Sequence, residues 1–219
     1  MILDGKKFSL KEMIGKWMSV EEVISELRMD RIFYTESSGG VTFSGGEPLM
    51  QPEFLLELLK ECKANNLHTT LDTSGYADRR IIENIQPYTD LFLYDLKLID
   101  DTDHIRYTGV SNKPILENLL YLISEKKQVI IRIPVIPDIT STNKNIQAIK
   151  KFLLHLVNER KSASSLKISL LPYHSIAKNK YSRLHIDNKT MHLKDLTKES
   201  LISLKIEFED KGFVVKIGG

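Results

Sequence analysis

Six short runs rich in β-branched and aromatic residues, at 41–43, 68–72, 91–95, 129–135, 167–171 and 213–217, recur along the chain with helix-period stripes between them. No other feature narrows the fold as far. A strand-like run that returns every 25 to 40 residues or so, with a helix between copies, is the pattern of parallel β-α units. The runs read as mostly buried, as strands covered by crossover helices are. Right-handed crossovers then place them in one parallel sheet with the helices outside. The expected class is α/β, as a partial (β/α) barrel of parallel strands; an open doubly wound sheet also suits the count.

The stripes between the runs carry helix signals. Ser19 and Glu22 form a capping box that opens a helix over 20–28. Pro52 suits the first turn of a helix bearing Phe54, Leu55, Leu58 and Leu59. Ile115, Leu119, Leu120 and Ile123 form one further apolar stripe, and Ile146, Ile149, Phe152, Leu153 and Leu156 another. Thr197 is placed to cap a helix over 201–209. No linker or low-complexity tract divides the chain, so 1–219 reads as one domain. The beginning departs from the repeat, with helix-like patterns at 10–17 and 20–28 but no first strand. The barrel is therefore expected to be truncated at its first strand. Run 41–43 becomes a bare sheet edge, open to self-association with another copy.

Charge and cysteine content exclude several classes. Lys and Arg number 31 against 29 Asp and Glu, a net charge of +2, far from the one-sided basic footprint of a nucleic-acid binder. The most apolar stretch, 129–136, is too short to span a membrane and contains Arg132. The first residues lack the apolar core of a signal peptide. One cysteine, Cys62, excludes an internal disulfide, and together these features point to the cytoplasm.

In parallel α/β folds ligands bind beyond the carboxyl ends of the strands. The first five runs each offer a polar or glycine-rich group there: Ser44-Gly45-Gly46-Glu47-Pro48, then Asp72-Thr73-Ser74-Gly75, then Asp95 and Lys97, then Arg132 and Pro134 within a strand, then Pro172-Tyr173-His174. Each piece has a plain reading beside the functional one. Gly45 and Gly46 serve a tight turn or let a ligand approach the backbone. Glu47 is a loop carboxylate or an acceptor for an ammonium group. Asp72 with Thr73 caps the next helix or offers oxygens to a hard cation. Asp95 and Lys97, two apart, share a strand face as an ion pair or as a grip on hydroxyls and a carboxylate. Cys62, within an apolar helix pattern, reads as packing.

The segments match one family in order. Val41-Thr42-Phe43-Ser44-Gly45-Gly46-Glu47-Pro48, Leu71-Asp72-Thr73-Ser74-Gly75-Tyr76 and Tyr94-Asp95-Leu96-Lys97 resemble the pyruvate formate-lyase activating enzymes and related activating enzymes of glycyl-radical enzymes. So do Tyr107-Thr108-Gly109-Val110, Ile131-Arg132-Ile133-Pro134-Val135-Ile136-Pro137, Leu171-Pro172-Tyr173-His174 and Lys180-Tyr181.

The resemblance implies a partial (β/α) barrel that binds S-adenosylmethionine. Gly45, Gly46 and Glu47 match the motif for its amino group. Asp95 and Lys97 match positions near its ribose and methionine end. Arg132 and His174 match residues lining the site, and Asp72 and Thr73 match a monovalent cation site. In that family a reduced [4Fe–4S] cluster passes an electron to the sulfonium, and the resulting 5′-deoxyadenosyl radical takes hydrogen from a glycine of a partner such as pyruvate formate-lyase.

The family's three-cysteine cluster motif has no counterpart here, and Cys62 cannot replace it. Residues 1–18 resemble a junction remnant ahead of the barrel. Asp138 and Ala177 stand where relatives often carry glycine. The chain is thus expected to be the barrel portion of an activase, inactive alone. Its rivals are a cluster-less module that binds S-adenosylmethionine or a partner, and an enzyme of another class using Lys97 as a Schiff-base amine.

Overall fold

The strands of the computed structural model match the apolar runs to within one residue, at β3 (Gly40–Phe43), β4 (His68–Thr73), β5 (Leu91–Asp95), β6 (Gln128–Val135), β7 (Lys167–Pro172) and β8 (Val214–Ile217). Described are residues 2–3, 6–7, 15–37, 39–160, 166–173 and 196–218. A two-stranded antiparallel ribbon, β1 (Ile2–Leu3) with β2 (Lys6–Lys7), precedes the main sheet.

All six main strands are parallel and lie in chain order, β3-β4-β5-β6-β7-β8. A doubly wound sheet reverses its order at a switch point. This one never does, which leaves the open, partial (β/α) barrel. Among the described residues nothing pairs with the outer side of β3.

The strands are less uniformly buried than their composition suggests. Along β5 and β6, buried residues alternate with half-buried ones. The buried parity, with Leu71, Phe92, Tyr94, Ile131, Ile133 and Leu170, joins the helices in one apolar core. The other parity carries Asp72, Asp95 and Arg132 and is only partly covered. Helices on one face of a closing sheet leave the inner face for polar groups, and the period of two sorts the residues between faces.

Around the sheet run α1 (Val20–Met29), α2 (Arg31–Ser37), α3 (Pro52–Ala64), α4 (Arg79–Ile85), α5 (Asp101–Thr108), α6 (Lys113–Ser124), α7 (Asn143–Arg160) and α8 (Lys198–Glu209). The expected caps form. The Ser19 hydroxyl accepts from the Glu22 amide at 3.2 Å while the Glu22 carboxylate accepts from the Ser19 amide at 2.6 Å. Pro52 occupies the first turn of α3, and Thr197 caps α8. In a second, smaller core Ile24 of α1 meets Val41, Leu58, Cys62 and Leu67.

Two expectations need correction. The helix read over 10–17 falls largely outside the described residues, and Gly15 to Trp17 are not helical. Gly15 sits at φ +101°, which an α-helix does not accommodate, and Trp17 is 94% exposed. The cap of the helix after β4 is Asp78, accepting from the Arg80 amide at 2.8 Å, rather than Asp72 or Thr73.

Candidate functional site

The loop after β3 runs beside open space. Gly45 has φ +122°, a conformation glycine adopts without penalty. Among the described residues, leaving aside the glycines' own chain neighbours, no atom lies within 4 Å of where a Cβ would stand on Gly45 or Gly46, so that side of the backbone is open. Ser44 at its start donates its hydroxyl to Asp72 Oδ2 at 3.2 Å.

Glu47 closes the loop. Its Oε1 accepts from the Leu49 amide at 3.3 Å, capping the short 3-10 turn Pro48–Met50. The same carboxylate crosses to the end of β4, where it accepts from Thr73 Oγ1 at 2.6 Å, the Ser74 amide at 2.9 Å and Ser74 Oγ at 2.6 Å. Thr73 Oγ1 in turn accepts from the Gly75 amide at 2.9 Å. Thr73 is buried and turned toward Glu47, whereas the neighbouring Asp72 faces the inner surface of the sheet.

That inner surface holds a charged tetrad. Register sets Asp95 directly beside Arg132, with Asp72 one strand further on. The Arg132 guanidinium reaches both: Nε to Asp95 Oδ1 at 3.0 Å, Nη2 to the same oxygen at 2.8 Å, Nη1 to Asp72 Oδ2 at 2.9 Å, and Nη2 also to Asp72 Oδ1. Lys97 Nζ lies 3.3 Å from Asp95 Oδ2, so the two residues that share a strand face in the sequence are an ion pair in the fold. Burial works against the Arg132 charge, but the carboxylates of Asp95 and Asp72 outweigh it and hold the guanidinium above its ordinary value. Two acids and two bases balance formally, which is how several charges share a partly buried surface.

Three buried asparagines pin the loops around this face. Asn145 donates to the carbonyls of Lys97 and Thr140, each at 2.8 Å, and accepts from the Ile99 amide at 3.1 Å. Asn112 donates to the carbonyls of Leu98 at 2.9 Å and Ile99 at 2.8 Å. Asn118 donates to the carbonyls of Gly75 at 3.0 Å and Ala77 at 2.9 Å. Reading by strand ends misses all three. The signal for Asn118 is an amide at helical spacing within the stripe of Ile115, Leu119 and Leu122, where only a satisfied polar group survives burial. Ser74 stands in the strand-end segment Asp72-Thr73-Ser74-Gly75, but only the fold gives it a partner in Glu47.

Of the residues expected at the site, Gly45, Gly46, Glu47, Asp72, Thr73, Asp95 and Lys97 gather at the ends of β3, β4 and β5, with Arg132 within β6 beside Asp95. His174, Ala177 and the Lys180-Tyr181 pair lie outside the described residues. A cavity of about 470 Å³ opens beside the β4–α4 loop, lined by Tyr76, Asp78, Arg79, Pro114 and Asn118, and includes none of the tetrad.

Cys62 is fully buried in the smaller core, and burial pushes its thiol up to about 11. Native protein at about pH 8 is therefore expected to resist iodoacetamide, with alkylation after denaturation; intact-mass measurement distinguishes the two. Rapid native labelling would mean that the α1–α3 contact opens readily. Among the described residues no group of three or more His, Cys, Asp or Glu side chains is arranged to hold a metal ion.

Comparison with known proteins then bears on this arrangement. The family model of the Radical SAM superfamily matches residues 8–150. The chain is 39% identical over 210 residues to the trans-4-hydroxy-L-proline dehydratase activating enzyme of Clostridioides difficile, covering 95% of this chain and 68% of that protein. It is 36% identical over 185 residues to the pyruvate formate-lyase-activating enzyme of Clostridium pasteurianum, covering 84% and 75%. Against the (2S)-3-sulfopropanediol dehydratase activating enzyme of Klebsiella oxytoca the identity is 39% over 180 residues, covering 82% and 56%. The chain thus spans between about half and three quarters of the length of these relatives. Among solved structures, a domain of pyruvate-formate lyase-activating enzyme from Bacteroides vulgatus superposes with TM-score 0.67 at 31% identity, covering 83% of this chain and 99% of that one. Streptococcus suis SuiB bound to S-adenosylmethionine shares the fold, with TM-score 0.69 at 14% identity over 95% of this chain and 45% of that one.

Proposed function

The chain belongs to the radical SAM superfamily, among the activating enzymes of glycyl-radical enzymes, and we propose that it is the S-adenosylmethionine-binding barrel portion of such an activase. The observation that carries this is the meeting of the open Gly45-Gly46 backbone with the Asp95–Arg132–Lys97 surface, joined by the Ser44–Asp72 hydrogen bond.

The residues fit the ligand's chemistry. S-adenosylmethionine presents an ammonium, a carboxylate, a sulfonium and a ribose diol. The Gly45-Gly46-Glu47 loop is the place for the ammonium. Lys97 can turn to the carboxylate, and Asp95 can accept from ribose hydroxyls. Arg132 holds Asp95 and Asp72 in place, and by family resemblance His174 lines the same site. Asp72 with a neighbouring oxygen of Thr73 is the proposed position for a monovalent cation. These groups bind and orient the ligand and keep its charges paired as water leaves.

A [4Fe–4S] cluster does not fit the residues present. Such a cluster needs several thiolates, and the chain's one cysteine is sealed between α1, β3 and α3. No electron-transfer step is therefore assigned to these 219 residues. The proposed partner is a glycyl-radical enzyme; pyruvate formate-lyase is one candidate and the dehydratases activated by the relatives are others.

Isothermal titration with S-adenosylmethionine is expected to give weak binding, because these residues cannot hold the iron that grips the methionine end in the family. Anaerobic reduction with dithionite and S-adenosylmethionine should release no 5′-deoxyadenosine. Release of that product, or no binding at millimolar ligand, would sink the proposal. Tight binding without iron would favour the cluster-less binding module instead.

A further inference from the structure

We propose that Thr73 and Ser74 are positioning residues, which hold the Gly45-Gly46 loop in its ligand-ready form by gripping the Glu47 carboxylate, so that Glu47 serves as the brace of the loop and not as the ligand's acceptor. This deepens the S-adenosylmethionine reading and rests on it for the identity of the ligand only.

The two glycines leave the middle of the loop open where their side chains would stand. Neither Gly45 nor Gly46 has a neighbour within 4 Å of its would-be Cβ, and glycine is the residue type with most conformational freedom to lose. The glycines therefore bring no side chains of their own to order this backbone. Its ends are tied instead, and both ties go to the end of β4. Ser44 donates to Asp72 at 3.2 Å, and Glu47 accepts from Thr73 and Ser74.

The acceptor sites of Glu47 are already filled. A carboxylate offers about four lone-pair positions. Glu47 meets four donors: the Leu49 amide at 3.3 Å, Thr73 Oγ1 at 2.6 Å, the Ser74 amide at 2.9 Å and Ser74 Oγ at 2.6 Å. An incoming ammonium would have to displace one of them. The loop's own backbone, bare and facing open space, has no such obstacle. The Thr73 hydroxyl is itself oriented, since its oxygen accepts from the Gly75 amide at 2.9 Å and so directs its hydrogen at Glu47. The brace thus runs from the Gly75 amide through Thr73 to Glu47 and the glycines.

The test is hydrogen exchange of the full chain without ligand, followed by titration with S-adenosylmethionine. Removing the hydroxyls in T73V/S74A, or the carboxylate in E47A, should speed exchange at the Leu49 and Ser74 amides, which donate to Glu47, about tenfold or more, the expected consequence of losing hydrogen bonds to a charged group. Amides of β6 should keep their protection, which separates a loosened loop from a destabilised fold. The conservative pair T73S/S74T keeps both hydroxyls and should restore slow exchange. Combining S74A with E47A should add little to E47A alone. The same variants should weaken S-adenosylmethionine binding in the order of their loop exchange.

Unchanged exchange at Leu49 and Ser74 in both E47A and T73V/S74A would overturn the proposal. Failure of the wild-type chain to bind S-adenosylmethionine would count against the functional reading above, while the exchange measurement still decides the brace.

Discussion

Replacing Arg132 with alanine is expected to be among the most damaging single changes on the inner face of the sheet, costing roughly 2–4 kcal/mol and lowering the melting temperature by about 10 °C. The mechanism is electrostatic. Arg132 is the cation between Asp72 and Asp95, and all three side chains are only about one-fifth exposed, at 18%, 21% and 19%. Without it two carboxylates face each other across adjacent strands, and Lys97 reaches only Asp95. The magnitude lies below that of a fully buried pair because water still reaches part of the surface. R132K should recover only part of the loss, since an ammonium cannot fork between two carboxylates. Adding D95N to R132A should recover more, by removing the repulsion. Thermal and urea unfolding of these variants check the order. Equal stability of R132A and wild type would mean that the tetrad is a solvated cluster and not a support of the site.

A second large effect is expected at Gly75. An alanine Cβ there would overlap Tyr94 Oη and Cζ and stand 2.6 Å from Cε2. Tyr94 cannot retreat, because it is fully buried and its hydroxyl donates to the Ile115 carbonyl at 2.6 Å. The glycine also has φ +73°, which adds about 1 kcal/mol for any residue with a Cβ. G75A should therefore cost about 3 kcal/mol or more. Y94F should not rescue it, since the ring carbons alone remain too close. Gly46 is the contrast. Among the described residues nothing stands within 4 Å of its Cβ position, so G46A should change stability by no more than about 0.5 kcal/mol while weakening S-adenosylmethionine binding, because the added methyl projects into the space proposed for the ligand. If G75A melts with the wild type, the Tyr94–Ile115 strut is not rigid, and the loop that holds Ser74 is not anchored by it.

How far the sequence discloses these features depends on the range of the interaction involved. The strands are legible because apolar runs and the signals that bound them are local. So are the Ser19 capping box, Pro52 and Thr197, each acting within one turn of its own helix. Helix α2 has no such signal. None of its residues is buried, and Ile32 and Phe33 point outward at 69% and 66% exposure, so no core-facing stripe announces it. Helices α4 and α5 are short, seven and eight residues, and each begins on an aspartate cap; α5 has few apolar residues to mark a face, and the isoleucines of α4 span too short a stretch to show a period. The three loop-pinning asparagines have no local partners to betray them, because the carbonyls they satisfy lie between 5 and 48 residues away in sequence.

The sequence by itself determined that the chain is a parallel α/β fold, where its strands begin and end, and which polar residues stand at their carboxyl ends. Those properties come from periodicity and turn chemistry, which operate over a few residues. Only the tertiary structure decided that strand order never reverses, so that one face of the sheet stays polar. Strand order likewise made partners of Asp72, Asp95 and Arg132, and turned Glu47 toward Thr73 and Ser74. Those partners come from different strands, up to 60 residues apart, and which of them meet is set by sheet order and register, neither of which any short window of sequence contains.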